Sequence, residues 1–299
     1  MSKTINLQIS NYLKYLKEKS HSSPLTVRNY THYLSRFSNF LEEHFPTLDA
    51  PEEIDGSVIR EYSLYISKFI DNKGELLDTN TQGYHLIALR SFLKYLNYMG
   101  QKTINADAVR VPHSHTKEIK FLDLNEVATL IRLAENKRDR SILELLLSTG
   151  LRVSDLVRLN RDELDFEKKQ ISLSNSRGQK RTIFLSESAA YWLGKYLEER
   201  EDDSPALFIR TAGRKEGTLR LTVRSIQRIV EKYVKKAGFS VKATPKSLRH
   251  TFAISLLTGG TPLSAVKNLL NHKNISTTQI YTHVTNPQLK EIHNKFHRR

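Results

Sequence analysis

The stretch "TPKSLRHTFAISLLTGG" runs from Thr244 to Gly260. A threonine able to cap, followed by a proline whose fixed φ suits the first helical position, marks a helix start. On that helix Lys246 and Arg249 lie three residues apart, share a face and point two cations at one place. An ordinary amphipathic helix is the competing reading, with Leu248, Phe252, Ile254 and Leu256 packed inward and both cations in water. Which reading holds depends on what other segments bring to that face.

Downstream, "LLNHKNISTTQIYTHV" (Leu269 to Val284) follows a helix expected over Leu263–Leu270. That helix stops near Asn271, which leaves His272 just past its C-terminus. Ser276 is positioned to cap a short helix carrying Tyr281, nine positions after His272. A phenol has a pKa near 10 and is a weak nucleophile until neighbouring cations favour its anion. Taken singly, a tyrosine such as Tyr281 is more often a core residue with its hydroxyl tied up.

Upstream, "LLLSTGLRVSDLVRL" (Leu145 to Leu159) joins two helices. Gly150 ends the first, Ser154 and Asp155 favour the second, and Arg152 falls at a helix N-terminus where backbone N–H groups already favour an anion. The alternative is a surface arginine paired with Asp155. Between them in sequence, "QISLSNSRGQKRTIFL" (Gln170 to Leu185) places β-type residues around a polar turn and brings Arg177, Lys180 and Arg181 to a hairpin tip, where a cation can reach a groove or a phosphate.

Composition points the same way. The 299 residues carry 47 Lys and Arg against 32 Asp and Glu, a net charge of +15 that makes polyanions the leading partner class. The excess is uneven: residues 1–116 hold 13 basic and 12 acidic side chains, which leaves +14 for residues 117–299. The chain has no cysteine, so disulfides, thiolate metal sites and cysteine nucleophiles are excluded. No phosphate-cradling Gly-rich loop, H-E-x-x-H or nucleophile elbow occurs, and none of the 11 histidines shows metal-ligand spacing. Neither a metal nor a cofactor is expected. The N-terminus lacks a signal-peptide pattern and no run reaches the roughly 18 apolar residues of a membrane span, so a soluble, cytoplasmic protein without membrane association is expected.

The length suits two domains. Apolar periodicity predicts four helices near Ile5–Glu18, Pro24–His44 (capped by Ser23), Ser57–Phe69 and Asn80–Tyr98, the last stopping at Gly100. The period lapses in "NADAVRVPHSHTKEIK". The boundaries expected are therefore a helical DNA-binding domain over 1–104, a linker over 105–120 and a catalytic domain over 121–299. In the latter, helices are expected at Leu124–Glu135, Arg138–Ser148, Ser188–Arg200, Thr222–Ala237, Ser247–Leu257 and Leu263–Leu270, around the one hairpin. The fold class is mainly α with a small antiparallel β-sheet.

In this order and spacing, "TGLRVSDL", "TPKSLRHTFA" and "LLNHKNISTTQIYTHV" resemble the catalytic domain of the tyrosine recombinases, the family of phage integrases and bacterial Xer proteins. "SPLTVRNYTHYLSRFSNFL" is similar to the family's helical core-binding domain, so the likeness spans nearly the whole chain. The resemblance implies site-specific recombination of double-stranded DNA by a homo-tetramer through a four-armed junction, with monomers or dimers free in solution. It implies that Tyr281 attacks a scissile phosphate to give a 3′-phosphotyrosine. Arg152 and Arg249 would hold the nonbridging oxygens, and His272 would donate to the same phosphate or manage the tyrosine proton. Lys246 stands where family members often have His. In the hairpin the family lysine matches Arg177; arginine is too weak an acid to release a proton readily, so Lys180 is the expected general acid. The C-terminal "NPQLKEIHNKFHRR" would form a helix that docks on a neighbouring protomer. A type IB topoisomerase and a non-cleaving DNA-binding regulator are the alternatives.

Overall fold

The structure, a computed structural model, describes residues 4–20, 22–112, 118–174, 180–211, 218–239 and 242–282, with Lys180 described by its backbone alone. Arg177 and the C-terminal segment after Thr282 lie outside the described residues. The chain forms two compact units that divide between Thr116 and Lys117.

The first unit is built from α1 (Thr4–Glu18), α2 (Pro24–His44), α3 (Gly56–Lys68) and α4 (Thr79–Tyr98), close to the four helices expected. Side-chain caps set their starts: Ser23 accepts from the Thr26 amide at 3.1 Å, Asp55 from Ser57 and Val58, and Asp78 from Asn80. The fourth helix packs against each of the other three, with Leu89, Phe92, Leu93 and Leu96 fully buried. Part of the stretch read as linker is folded. Ala106 and Val109 are buried in this unit's core and Arg90 donates to the Val109 carbonyl. The lapse of period there reflects a 3-10 turn at Ala106–Ala108, which has no helical stripe to display.

The second unit centres on α6 (Lys137–Thr149), in which Ile142, Leu143, Leu145 and Leu146 are fully buried. Around it pack α5 (Leu124–Arg132), α8 (Glu187–Glu198), α9 (Val223–Ala237) and α10 (Pro245–Thr258). The short α7 (Val153–Leu156) follows α6, and α11 (Leu263–Leu270) and α12 (Ser276–Gln279) follow α10. A three-stranded antiparallel sheet has the order β1 (Leu164–Asp165), β2 (Gln170–Ser174), β3 (Lys180–Phe184). The two residues of β1 are too few for a period of two to show in sequence. The pairings Ile171↔Ile183 and Leu173↔Arg181 put those four on one face, and Ser172↔Thr182 and Ser174↔Lys180 belong to the other series. No helix among the described residues is long and apolar enough to cross a membrane.

One capping expectation is corrected. Ser276 is the first residue of α12 and Ile275 holds the cap position without a side-chain bond, so Tyr281 falls two residues beyond the helix. The helix is four residues long, too short for its start to depend on a cap when Thr278 and Tyr281 are pinned by tertiary contacts.

Gly150 ends α6 at φ 59°, the left-handed region. A Cβ there would overlap the Phe252 ring and press on Leu270. Gly150→Ala combines backbone strain with overpacking and is expected to cost about 2–4 kcal/mol. Urea unfolding followed by the fluorescence of Trp192, the single tryptophan, on α8, measures this unit directly; an unchanged midpoint would contradict the packing.

Candidate active site

Among the described residues of the second unit, Arg249 is the most enclosed cation that no carboxylate pairs. Thr244 accepts from the Ser247 amide at 3.3 Å and Pro245 occupies the first turn, so α10 starts as expected. Its registry buries Leu248 and Ile254 as anticipated, but it also turns Arg249 inward, 7% exposed, and leaves Lys246 outside. Arg249 Nη1 donates to the Gly150 carbonyl at 2.6 Å, and Nη2 donates to the Leu270 carbonyl at 2.7 Å and to His272 Nε2 at 2.9 Å. Both carbonyls lie at helix C-termini, where backbone oxygens lack intrahelical partners and carry the negative end of the dipole.

The end of α11 serves two more arginines. Arg181 donates to the Leu269 carbonyl, and Arg152 Nη2 lies 3.4 Å from the Asn271 carbonyl. Three consecutive carbonyls, 269 to 271, thus meet three guanidiniums from β3, α10 and the start of α7. Asn271 adopts φ 52°, which closes the helix and turns its carbonyl out of the helical direction. Arg152 occupies the cap position of α7 as expected and is exposed; Asp155 pairs with Arg158 at 2.7 Å. Burial, then Arg152, pushes Arg249 down to about 10, and burial with Arg152 also lowers Arg181. Cations gathered tightly enough to oppose each other's charge form a site for an anion.

His272 is 8% exposed just past α11. A guanidinium can only donate, so Nε2 accepts from Arg249 and the ring proton sits on Nδ1, which donates to Thr278 Oγ1 at 2.8 Å. Burial, followed by Arg249 and Arg152, pushes its pKa down to about 4. It is neutral near pH 7.

Tyr281 is 2% exposed in a small cluster with Ala253, Ile254, Val266 and Leu270. Its hydroxyl lies 2.9 Å from Nδ1 of His250, on α10 directly after Arg249. Burial raises the phenol's pKa, and Arg249 and Arg152 oppose that rise. Sequence reasoning passed over His250. Its signal was the i,i+4 relation to Lys246, which places it on the same helix face. Burial, then Lys246 and Arg249, pushes His250 down to about 4. Two further tyrosines of this unit lie elsewhere: Tyr233 is fully buried and donates to Asp139 at 3.0 Å, while Tyr191 is on the outer side of α8.

The structure therefore gathers Arg152, Arg249, His272 and Tyr281, adds His250 and Arg181, and keeps Lys246 exposed close to His250. At the hairpin, Arg181 stands in the strand series that faces α11, and position 180 opens β3 opposite Ser174 in the other series. Among the described residues no group of three or more His, Asp or Glu is placed to hold a metal ion.

This geometry agrees with what the chain is similar to. Residues 120–287 match the phage integrase family, and residues 9–100 match the phage integrase N-terminal SAM-like domain. The chain belongs to the phage integrase family, among its Xer-like tyrosine recombinases. Tyrosine recombinase XerC of Pelotomaculum thermopropionicum is 32% identical, covering 98% of each chain. Tyrosine recombinase XerA of Pyrococcus horikoshii is 34% identical over 95% of this chain and 91% of its own. In fold, the chain is similar to the XerH site-specific recombinase in a post-cleavage complex with its palindromic substrate, at TM-score 0.72 and 20% identity, over 95% of this chain and 83% of that one.

Both histidines have folded pKa values below the ordinary 6.5. Their contribution to stability is therefore fully present above about 6.5 and is lost as pH falls toward 4, because the unfolded chain binds protons that the fold refuses. Between pH 7.5 and 5, each histidine is expected to cost this unit about 1–2 kcal/mol. Urea midpoints followed by Trp192 fluorescence at the two pH values test this, and equal midpoints would contradict it.

Proposed function

We propose that this chain cuts and rejoins double-stranded DNA at paired recombination sites through Tyr281. The family membership makes it a site-specific DNA recombinase, and the observation that carries the residue assignment is the Tyr281 hydroxyl, bonded to His250 next to Arg249 and within the field of Arg249 and Arg152. The phenol oxygen attacks the scissile phosphorus in line; the Oη–P bond forms as the P–O5′ bond breaks. A 3′-phosphotyrosine and a 5′-hydroxyl result, and the retained phosphodiester energy drives rejoining to a second strand.

Arg152 and Arg249 hold the nonbridging oxygens and stabilise the charge of the pentacoordinate transition state as planar, multidentate donors. Arg181 adds a third charge at the same oxygens. His272 accepts from Arg249 through Nε2 and so keeps that guanidinium aimed at the phosphate. Lys246 donates to the same anion from the open side. The proton for the leaving 5′-oxygen comes from the hairpin, with Lys180 as the acid, since a guanidinium holds its proton more tightly than an ammonium and makes Arg181 a charge stabiliser and a poor proton source.

A homo-tetramer on two DNA sites, with exchange through a four-armed junction, matches the chemistry of a reversible covalent intermediate. The cytoplasm is the compartment that fits a DNA substrate and a chain without cysteine. Tandem helical and catalytic units support recombination over topoisomerase action, and competent side chains at every position count against a non-cleaving regulator.

Tyr281→Phe is expected to abolish SDS-resistant protein–DNA adducts while leaving duplex binding within a few-fold. Adducts formed undiminished by this variant would move the nucleophile elsewhere. Exchange between two labelled duplexes, seen with the unaltered chain, separates a recombinase from a topoisomerase.

The proton donor is tested with DNA in which sulfur replaces the bridging 5′-oxygen, because a thiolate leaves without protonation. Lys180→Ala should slow cleavage of ordinary DNA on the order of 10²-fold or more and be largely rescued on the sulfur substrate, while Arg249→Ala should not be rescued. Rescue confined to Arg177→Ala, Arg181→Ala or Lys246→Ala would reassign the acid to that position.

A further inference from the structure

An attacking phenol must shed its proton, and the residues assigned above supply no acceptor for it. Arg152, Arg181 and Arg249 are donors only, and an ammonium at Lys246 has no lone pair to offer. His272 Nε2 is occupied by Arg249 at 2.9 Å and its Nδ1 by Thr278 at 2.8 Å. His250 is different. Its Nδ1 lies 2.9 Å from the Tyr281 oxygen, with the rings at 60° and centroids 5.4 Å apart, so the ring edge meets the hydroxyl. The ring is carried in the middle of α10, one residue after Arg249, so the acceptor and the principal phosphate ligand are fixed to one rigid backbone.

We propose that His250 is the general base of strand cleavage, taking the Tyr281 proton on Nδ1 as Oη bonds to phosphorus, and returning it to the departing phenolate during ligation. The assignment rests on the reading of Tyr281 as nucleophile. The step balances: the O–H bond of Tyr281 breaks, an N–H bond forms on His250, the Oη–P bond forms and the P–O5′ bond breaks, the 5′-oxygen being protonated separately from the hairpin. On the way back, imidazolium is the acid and the 5′-hydroxyl the nucleophile.

The charges around the ring suit a transient rather than a stored proton. Those facing His250 are Lys246 and Arg249 on its own helix, His272 beyond α11 and Tyr281 beyond α12. Burial and these two cations, Lys246 and Arg249, keep the ring neutral near pH 7, so its lone pair is present there. An imidazolium formed there is opposed by the same cations, which favours return of the proton in ligation, while the bound phosphate's charge offsets part of that opposition during the transfer.

The test compares His250→Asn with the unaltered chain on a nicked duplex whose cleaved fragment diffuses away, in a pH series from 6 to 8.5. Asparagine keeps an acceptor oxygen near Nδ1, so it holds the hydroxyl but cannot take a proton. The unaltered chain should cleave at a nearly flat rate across this range. His250→Asn should bind DNA within a few-fold, cleave at pH 7 on the order of 10²-fold more slowly, and gain close to tenfold per pH unit as hydroxide takes over the proton. His250→Ala should regain cleavage when imidazole is added. Cleavage by His250→Asn at an unaltered, pH-independent rate would overturn the proposal and leave the ring a positioning contact. Faster cleavage by either variant would do the same and make the contact a restraint on the nucleophile. Slow His250→Ala cleavage that imidazole does not restore, with His250→Asn slow but flat with pH, would equally overturn it. Should Tyr281→Phe still form adducts, the nucleophile reading itself fails, an outcome distinct from all of these.

Discussion

Three consecutive backbone carbonyls at the end of α11, of Leu269, Leu270 and Asn271, hold the three arginines on which the proposed chemistry depends. A helix terminus has such oxygens to spare, because its last carbonyls lack intrahelical partners. Using them rather than carboxylates has an electrostatic consequence. Dipoles orient a guanidinium and satisfy its N–H groups without cancelling its charge, so the cluster stays cationic and ready for a phosphate. Asp155, an acid whose charge reaches Arg181 and Arg249, is paired with Arg158.

That arrangement makes the packing around α11 a determinant of the proposed site's geometry. Leu270 and Val266 are fully buried in the same small cluster as Tyr281, and Leu270 also sits against Gly150, whose carbonyl is the other anchor of Arg249. The apolar contacts that fold the segment are thus the contacts that aim the guanidiniums and bring the phenol to them. Burying Arg249 costs desolvation, visible in its pKa near 10, and three contacts, two to backbone carbonyls and one to an imidazole, offset it locally. A bound phosphate would supply the remaining compensation, which is a reason for the site to bind its substrate's backbone in preference to any base.

The two histidines illustrate how identical side chains acquire different work. His272 follows a helix end and has both ring nitrogens engaged, one by an obligate donor. His250 lies within a helix and presents Nδ1 to a hydroxyl. Neither difference is a property of imidazole. Each follows from what the neighbouring backbone brings within reach, and in both cases surrounding cations and burial keep the ring neutral.

Much was legible in the order of residues. Helical periods located α1 to α4 and most of the second unit because their apolar stripes are long enough to repeat, and Thr244-Pro245, Gly150 and Asn271 marked helix ends through local φ preferences and capping chemistry. Arg152, Arg249, His272 and Tyr281 could be singled out from motif order alone. What the chain order could not show was the convergence itself. Arg249 reads as a solvent-facing cation on its own helix, and only the docking of α10 against the ends of α6 and α11 turns it inward. For the same reason His250 was unremarkable in sequence and Arg181 read only as one of three cations at a hairpin tip, since a hydroxyl 31 residues away and a carbonyl 88 residues away define them. Local sequence determined the helices, their ends and the chemical types available, through interactions that span a few residues. Tertiary structure decided which of those groups meet, because hydrogen bonds and burial depend on distances in space that no spacing along the chain records.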